Sequence, residues 1–170
     1  KDIAECEVEL VKTLAACGVA LVFEPGIPGA PIYGATRWLT SDKAIVQMSL
    51  RGKDDGNFWF TLFHELGHIL LHGKKEIFLE VDQGETSDKE REANEFARNR
   101  LVPFKAYDAF IRQHGATGAP RPLRLSKQSI RQFAEAIGVA PGVVVGRLQR
   151  DGWLPQSHCN DLKCRLEFAQ

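Results

Sequence analysis

His64-Glu65-Leu66-Gly67-His68 is the stretch that decides the fold, and it lies in an apolar, helix-compatible run from Phe58 to Gly73. On a helix, residues four apart share one face, so both imidazoles can reach a single Zn²⁺. Glu65, one position further round the helix, can hold a water molecule on that ion and take its proton. Charged groups in a buried helix are costly unless something pairs them. The pattern therefore predicts a catalytic zinc helix.

A third protein ligand is needed, because a catalytic zinc site has three protein ligands and one open position. The next predicted helix, Lys89–Leu101, carries Glu90 at the edge of its apolar face and Asn94 on the same face one turn later. We therefore expect His64, His68 and Glu90 to hold the Zn²⁺. We expect Asn94 to orient one of the ligating histidines.

Other side chains compete for roles at this site. Glu92 and Glu95 point away from the Glu90 face by helix geometry, so Glu92 is a rival ligand of lower rank. His72 lies about 12 Å along the helix from His64 at the ordinary rise per residue, so it is expected to line the site or cap the helix. The residue that stabilises the oxyanion is left open among five candidates: Tyr107, His114, His158, His72 and Arg51.

The composition predicts one globular domain over residues 1–170. Its hydrophobic content of 44% and charged content of 26% are ordinary for a chain that can bury a core. Lys+Arg and Asp+Glu both total 22, which argues against strong electrostatic binding to nucleic acid or to a membrane. The sequence contains neither a spanning segment of about 20 apolar residues nor a secretory signal. With four cysteines, reduced thiols in the cytoplasm are favoured over disulfides, and over a second metal site at His158, Cys159 and Cys164.

The hydrophobic pattern predicts an α+β fold with a small twisted sheet near the N-terminus. Val19–Phe23, Ala35–Leu39 and Ala44–Leu50 are predicted strands, the last two forming a hairpin whose second strand offers its edge to an extended peptide. Gly26–Gly34 is predicted as a loop because it is rich in glycine and proline. Asn57 is the predicted N-cap of the motif helix. The other predicted helices are Ile3–Ala16, Phe104–Gln113, Ser126–Ile137, Pro141–Arg150 and Asp161–Phe168.

The segment 129–149 also has the outline of a helix-turn-helix, which would make the chain a DNA-binding regulator. Its second helix, Pro141–Gln149, carries Arg147 as its single basic residue. The remaining surface is neutral and apolar, which suits packing better than contacts to bases. We therefore expect two core helices that close the domain.

Phe60–His72 resembles the active-site helix of the ImmA/IrrE family of zinc metallopeptidases. Glu90–Pro103 resembles the second signature of that family, in which the first Glu is the third metal ligand. The resemblance implies a minimal zincin-like fold of the gluzincin arrangement, with an HExxH helix, a second Glu-bearing helix and a helical C-terminal cap. It also implies a peptidase in which Glu65 activates a zinc-bound water.

Gly138–Gln149 looks like the helical tail of family members fused to a helix-turn-helix regulator of the HigA or Xre type. Such members carry the DNA-binding domain N-terminally, and the start at Lys1 leads us to expect that this domain is absent from the fragment. The resemblance implies a protein or peptide substrate, such as a repressor in toxin–antitoxin or other transcriptional regulation, and no membrane partner. The alternatives are a non-catalytic metal-binding sensor or antitoxin module, and DNA binding through the 129–149 helix pair.

Overall fold

The computed structural model describes residues 3–24, 32–49, 54–73, 77–81 and 87–166. The predicted α+β class is confirmed, and the architecture is consistent with a minimal zincin-like fold. In chain order the elements are α1 (Ile3–Ala16), β1 (Val19–Glu24), β2 (Ile32–Trp38), β3 (Ala44–Ser49), α2 (Asp55–Leu71), β4 (Ile77–Val81), α3 (Asp88–Leu101), α4 (Phe104–Gln113), α5 (Lys127–Ile137) and α6 (Pro141–Arg150). None of the helices in these ranges is long and apolar enough to cross a membrane.

The chain divides into two compact units. The first contains Lys1–Lys53, Thr61–Ala97 and Leu166–Gln170, and the second contains Asp54–Phe60 and Arg98–Arg165. The sheet, the HExxH motif and Glu90 all belong to the first unit. That a single domain covers residues 1–170 stays a prediction.

The sheet of the first unit has four strands in the order β1-β3-β2-β4. β1 pairs with β3 in parallel, and β2 pairs antiparallel with both β3 and β4. The predicted β2–β3 hairpin is confirmed, with Trp38 opposite Ala44. The expectation that the Ala44–Leu50 strand offers an open edge is wrong, because β1 and β2 occupy its two sides. In the described part of the chain the edge strands are β1 and β4.

Side chains of β3 alternate between the core and the outside, as a period of two requires. Ala44, Val46 and Met48 are buried, whereas Gln47 is exposed. The predicted loop Gly26–Gly34 is wrong at its end, because β2 already begins at Ile32. Residues 26–31 of that loop lie outside the described residues. Glycine and proline content therefore did not reveal where the strand begins.

The motif helix begins earlier than predicted, so the assignment of Asn57 as its N-cap is wrong. α2 starts at Asp55, and the Asn57 amide N–H donates to Asp54 Oδ1 at 2.9 Å, the usual bond of an N-cap residue to the third helical residue. Asp54 also carries a negative charge at the positive end of the helix dipole. Asp55 Oδ1 accepts from the amides of Gly56 at 2.9 Å and Cys164 at 3.1 Å. Within the second unit, the bond to Cys164 joins the start of α2 to the segment that follows the 3₁₀ turn.

The predicted C-terminal helix Asp161–Phe168 is wrong. A single 3₁₀ turn occupies Asn160–Leu162, after which the chain is extended and Arg165 forms an isolated β-bridge with Asp54. The extended form is stabilised because the Asp55 amide donates to the Cys164 carbonyl at 2.9 Å. Residues 167–168 lie outside the described residues.

The helix pair α5 and α6 belongs to the second unit and has well-formed ends. Ser126 caps α5 by accepting from the Ser129 amide at 3.0 Å, and Gly138 ends it with a left-handed φ of 73°. Val143, Val144, Val145 and Leu148 of α6 are buried. This burial supports the expected packing role of the pair.

Candidate metal centre

Helix α2 brings its two motif histidines together on its buried face. His64 and His68 are each 1% exposed, and their Nε2 atoms lie 3.0 Å apart. One helical turn separates the residues, so the shared face follows directly from their spacing. The facing argument from the sequence is confirmed for both side chains.

Helix α3 supplies the third member. Its start is set by Ser87, whose Oγ accepts from the Glu90 amide at 3.2 Å. The Glu90 carboxylate oxygens lie 3.2 Å from His64 Nε2 and 3.4 Å from His68 Nε2. Within the described ranges, His64, His68 and Glu90 form the one group of His, Cys, Asp or Glu side chains that could jointly hold a metal ion.

The spacing of these atoms fits a tetrahedral zinc ion. Bonds of about 2.0–2.1 Å to nitrogen or oxygen give a tetrahedron whose edges are about 3.3 Å long. The three separations of 3.0, 3.2 and 3.4 Å match that edge closely. Two imidazoles and one carboxylate also leave a fourth position open, as catalytic zinc sites do.

The protonation states suit a cation in this place. Burial, together with the neighbouring His64 imidazole, lowers the pKa of His68 to about 4. The hydrogen bond between Glu90 and His64, together with the charges of the surrounding imidazoles, lowers the pKa of Glu90. At neutral pH the ring of His68 is therefore uncharged and Glu90 is ionised, the forms in which both bind metals.

Glu65, the predicted base, is fully buried beside His64 on α2. The backbone of β2 passes directly against it at Gly34, where an added Cβ would lie 2.5 Å from Glu65 Oε1 and 2.8 Å from Thr61 Cγ2. Gly34 was not predicted to be part of the site, because the sequence pattern placed it in a loop. The available signal was a glycine next to β-branched and aromatic residues, which often marks a close approach to a strand.

Gly67, the second variable residue of the motif, is where α2 and α3 meet. A Cβ at this position would lie 3.2 Å from both Ala93 Cα and Phe96 Cδ1. A hydrogen in place of a methyl group therefore lets the two helices approach closely. The approach places Glu90 within reach of the histidines, and no ligand pattern in the sequence reveals it.

The other residues considered as a third ligand, His72, Glu92 and Glu95, lie outside the group formed by His64, His68 and Glu90. His72 Nδ1 lies 2.9 Å from His68 Nδ1, and its Nε2 lies 3.1 Å from Glu92 Oε2. Glu92 therefore contacts His72 and stands outside the donor group, and Glu95 is exposed. Asn94 is buried one turn beyond Glu90. Its role in orienting a histidine stays a prediction.

The other candidates for oxyanion stabilisation have local partners in the second unit. The Tyr107 ring lies 4.7 Å from the Arg147 guanidinium, and burial raises the pKa of its hydroxyl. His114 Nδ1 donates to the Phe110 carbonyl at 2.8 Å, and His158 Nδ1 lies 3.2 Å from Ser157 Oγ. Arg51 lies outside the described residues, so the oxyanion donor stays open.

Three cysteines in the described ranges are free thiols: Cys17, Cys159 and Cys164.

Together the α+β fold and the His₂Glu donor group define a metallopeptidase-like domain. Residues 32–149 match the model of a peptidase family described as the IrrE N-terminal-like domain. Since the match covers well over half of the chain, the protein belongs to this family. No individually curated protein matches the chain.

Proposed function

We propose that this protein is a zinc-dependent metalloendopeptidase that hydrolyses a peptide bond of a partner regulatory protein. The observation that carries the proposal is the convergence of His64 Nε2, His68 Nε2 and the Glu90 carboxylate beside a buried Glu65. Family membership supports a peptidase-like enzyme. The distances among His64, His68 and Glu90 support the residues proposed as metal ligands.

Each residue has a task in the proposed reaction. His64, His68 and Glu90 hold the ion, and a bound Zn²⁺ would polarise the scissile carbonyl and lower the pKa of the attacking water. Glu65 takes the proton of that water and later passes it to the leaving amine. Its contact with Gly34 of β2 restricts where the carboxylate can lie, which keeps the base in place before substrate arrives.

The sheet offers an extended peptide a place to bind. β2, which contacts Glu65 through Gly34, pairs on its outer side with β4, an edge strand in the described part of the chain. A substrate segment added to the free side of β4 would gain main-chain hydrogen bonds without a particular sequence. This arrangement replaces the β3 edge expected from the sequence.

The proposed substrate is a repressor or another regulator in the cytoplasm, as the resemblance to the ImmA/IrrE family implies. Toxin–antitoxin or similar transcriptional regulation is the proposed setting. The second helix of the 129–149 pair buries its apolar residues, which argues against contacts to nucleic acid through this pair.

The test combines metal analysis with cleavage of a co-expressed regulator. We expect about one zinc per wild-type chain, loss of zinc in His64→Ala and Glu90→Ala, and full zinc but no cleavage in Glu65→Gln. Glu95→Gln changes an exposed acid of the same helix as Glu90 and serves as the matched control, with wild-type zinc and cleavage.

The outcomes separate the alternatives. A wild-type protein that binds no metal would overturn the site itself. Zinc binding without cleavage of any candidate regulator would favour the non-catalytic sensor or antitoxin module. A mobility shift of DNA by this chain at physiological salt would favour the helix-pair alternative.

A further inference from the structure

A chain of three side chains runs from the candidate metal ligand His68 towards solvent. His68 Nδ1 lies 2.9 Å from His72 Nδ1, and His72 Nε2 lies 3.1 Å from Glu92 Oε2. The His72 side chain is 2% exposed and that of Glu92 is 57% exposed. The chain therefore begins at a buried ligand and ends at an acid on the surface.

The order of protons along this chain follows from the donors available. A carboxylate only accepts, so the proton of a neutral His72 is on Nε2, facing Glu92. His72 Nδ1 then offers a lone pair, and His68 Nδ1 must donate to it. A neutral His68 with its proton on Nδ1 carries a lone pair on Nε2, the atom that faces His64 and Glu90.

We propose that His72 and Glu92 are positioning residues that hold His68 in the tautomer able to bind metal. The inference rests on the metal site of the proposed function but not on peptide-bond cleavage. Partners of this kind fix the tautomer and orientation of a ligating histidine, and removing them lowers metal affinity by about 10–100-fold. The helix that carries His68 also carries His72, and the helix that carries Glu90 also carries Glu92, so the same two elements supply the ligands and their support.

A set of variants separates this role from general packing. His72→Leu keeps a side chain of similar bulk but removes the acceptor for His68. His72→Asn retains an acceptor oxygen near the place of Nδ1 and is the conservative rescue. Glu92→Ala removes the last acceptor at an exposed position, where folding is little affected. Glu95→Ala, an exposed acid on the same helix, is the control.

The first measurement is zinc affinity by competition with a chromophoric chelator. We expect His72→Leu to bind zinc about 10–100-fold more weakly than wild type. Glu92→Ala should lose less, His72→Asn should regain most of the affinity, and Glu95→Ala should match wild type. Equal affinity in all variants would overturn the inference and leave the proposed function standing.

The second measurement is the tautomer of His68 in metal-free protein, read from long-range ¹⁵N NMR couplings of its ring. We expect the Nδ1–H form in wild type, and a larger share of the Nε2–H form in His72→Leu and Glu92→Ala. An Nε2–H form in wild type would overturn the inference. This reading needs neither zinc nor substrate, so it also decides the inference if wild-type protein binds no metal and the proposed function fails.

Discussion

Gly34 and Glu65 are in such close contact that a methyl group at position 34 would lie 2.5 Å from Oε1 and 2.9 Å from Cγ of the glutamate. The glycine is in the middle of a paired strand, opposite Met48 of β3, so its backbone cannot easily retreat. Glu65 is fully buried on the helix that faces it. Because Gly34 has no side chain, β2 can lie directly against Glu65 and limit where the proposed catalytic base can move.

Gly34→Ala should displace Glu65 and lower cleavage by a large factor while the candidate metal ligands remain intact. Overpacking of this kind commonly costs about 1–3 kcal/mol of unfolding free energy. The measurements are urea unfolding, zinc content and cleavage of the regulator. Gly73→Ala, where nothing lies within 4 Å of the added Cβ, is the control and should match wild type. Wild-type stability and cleavage in Gly34→Ala would contradict this account.

Gly67→Ala should weaken zinc binding with little change in stability. The added methyl group lies 3.2 Å from Ala93 Cα and pushes α3, with Glu90, away from the histidines. Alanine is favoured over glycine within a helix by about 1 kcal/mol, which offsets much of the packing strain. We expect zinc affinity to fall several-fold in the chelator competition.

Gly146→Ala provides the comparison for Gly67→Ala. It is also a glycine within a helix, but its added Cβ meets nothing closer than 4.0 Å. It should gain stability from helix propensity and keep wild-type zinc affinity. A zinc affinity equal to wild type in Gly67→Ala would show that the helices tolerate the extra separation.

Acid should destabilise the metal-free protein over a defined interval. The pKa of His68 is lowered from 6.5 in the unfolded chain to about 4 in the fold, so the unfolded chain binds a proton that the folded protein does not. The unfolding free energy therefore falls as pH drops from about 6.5 to about 4. Since the pKa of Glu90 is also lowered, the loss continues at lower pH. Urea unfolding across this range should give a smaller dependence on pH in His68→Gln, and equal slopes would contradict the prediction.

Asp55 should change the unfolding free energy with pH in the opposite direction to His68. Burial raises the pKa of its carboxyl above 3.8, so the charged form is disfavoured at neutral pH and its cost disappears as pH falls. Asp55→Asn keeps an acceptor for the Gly56 and Cys164 amides without the charge, so it should be more stable than wild type at neutral pH, and this difference should shrink in acid. Asp55→Ala leaves those amides without their acceptor and should cost about 1–3 kcal/mol. Urea unfolding of both variants at neutral and acid pH decides the point.

Helical periodicity made most of the site predictable. His64, His68 and Glu90 could be assigned because each lies on a face set by spacing within one helix, and α1, α4 and α6 begin and end where the pattern indicates. Facing within a helix depends on local geometry alone.

Features that depend on pairing between distant segments were not predictable in the same way. The parallel return of β3 beside β1 converts an expected edge strand into a central one. The contact of Gly34 with Glu65 and that of Glu92 with His72 join residues more than 19 positions apart, which no local pattern encodes. The start of α2 was missed because Asp54, Asp55 and Asn57 are all suitable caps by residue type.

The separation of the ligands along the chain has a further consequence. Glu90 follows His68 by 22 residues, so an ion bound by both would act as a cross-link that closes a loop of that length. By analogy with a disulfide, such closure removes conformations from the unfolded chain and is worth about 3 kcal/mol. A zinc ion bound here would therefore stabilise the fold in addition to any part in catalysis, and chelation would lower the unfolding free energy before any substrate is involved.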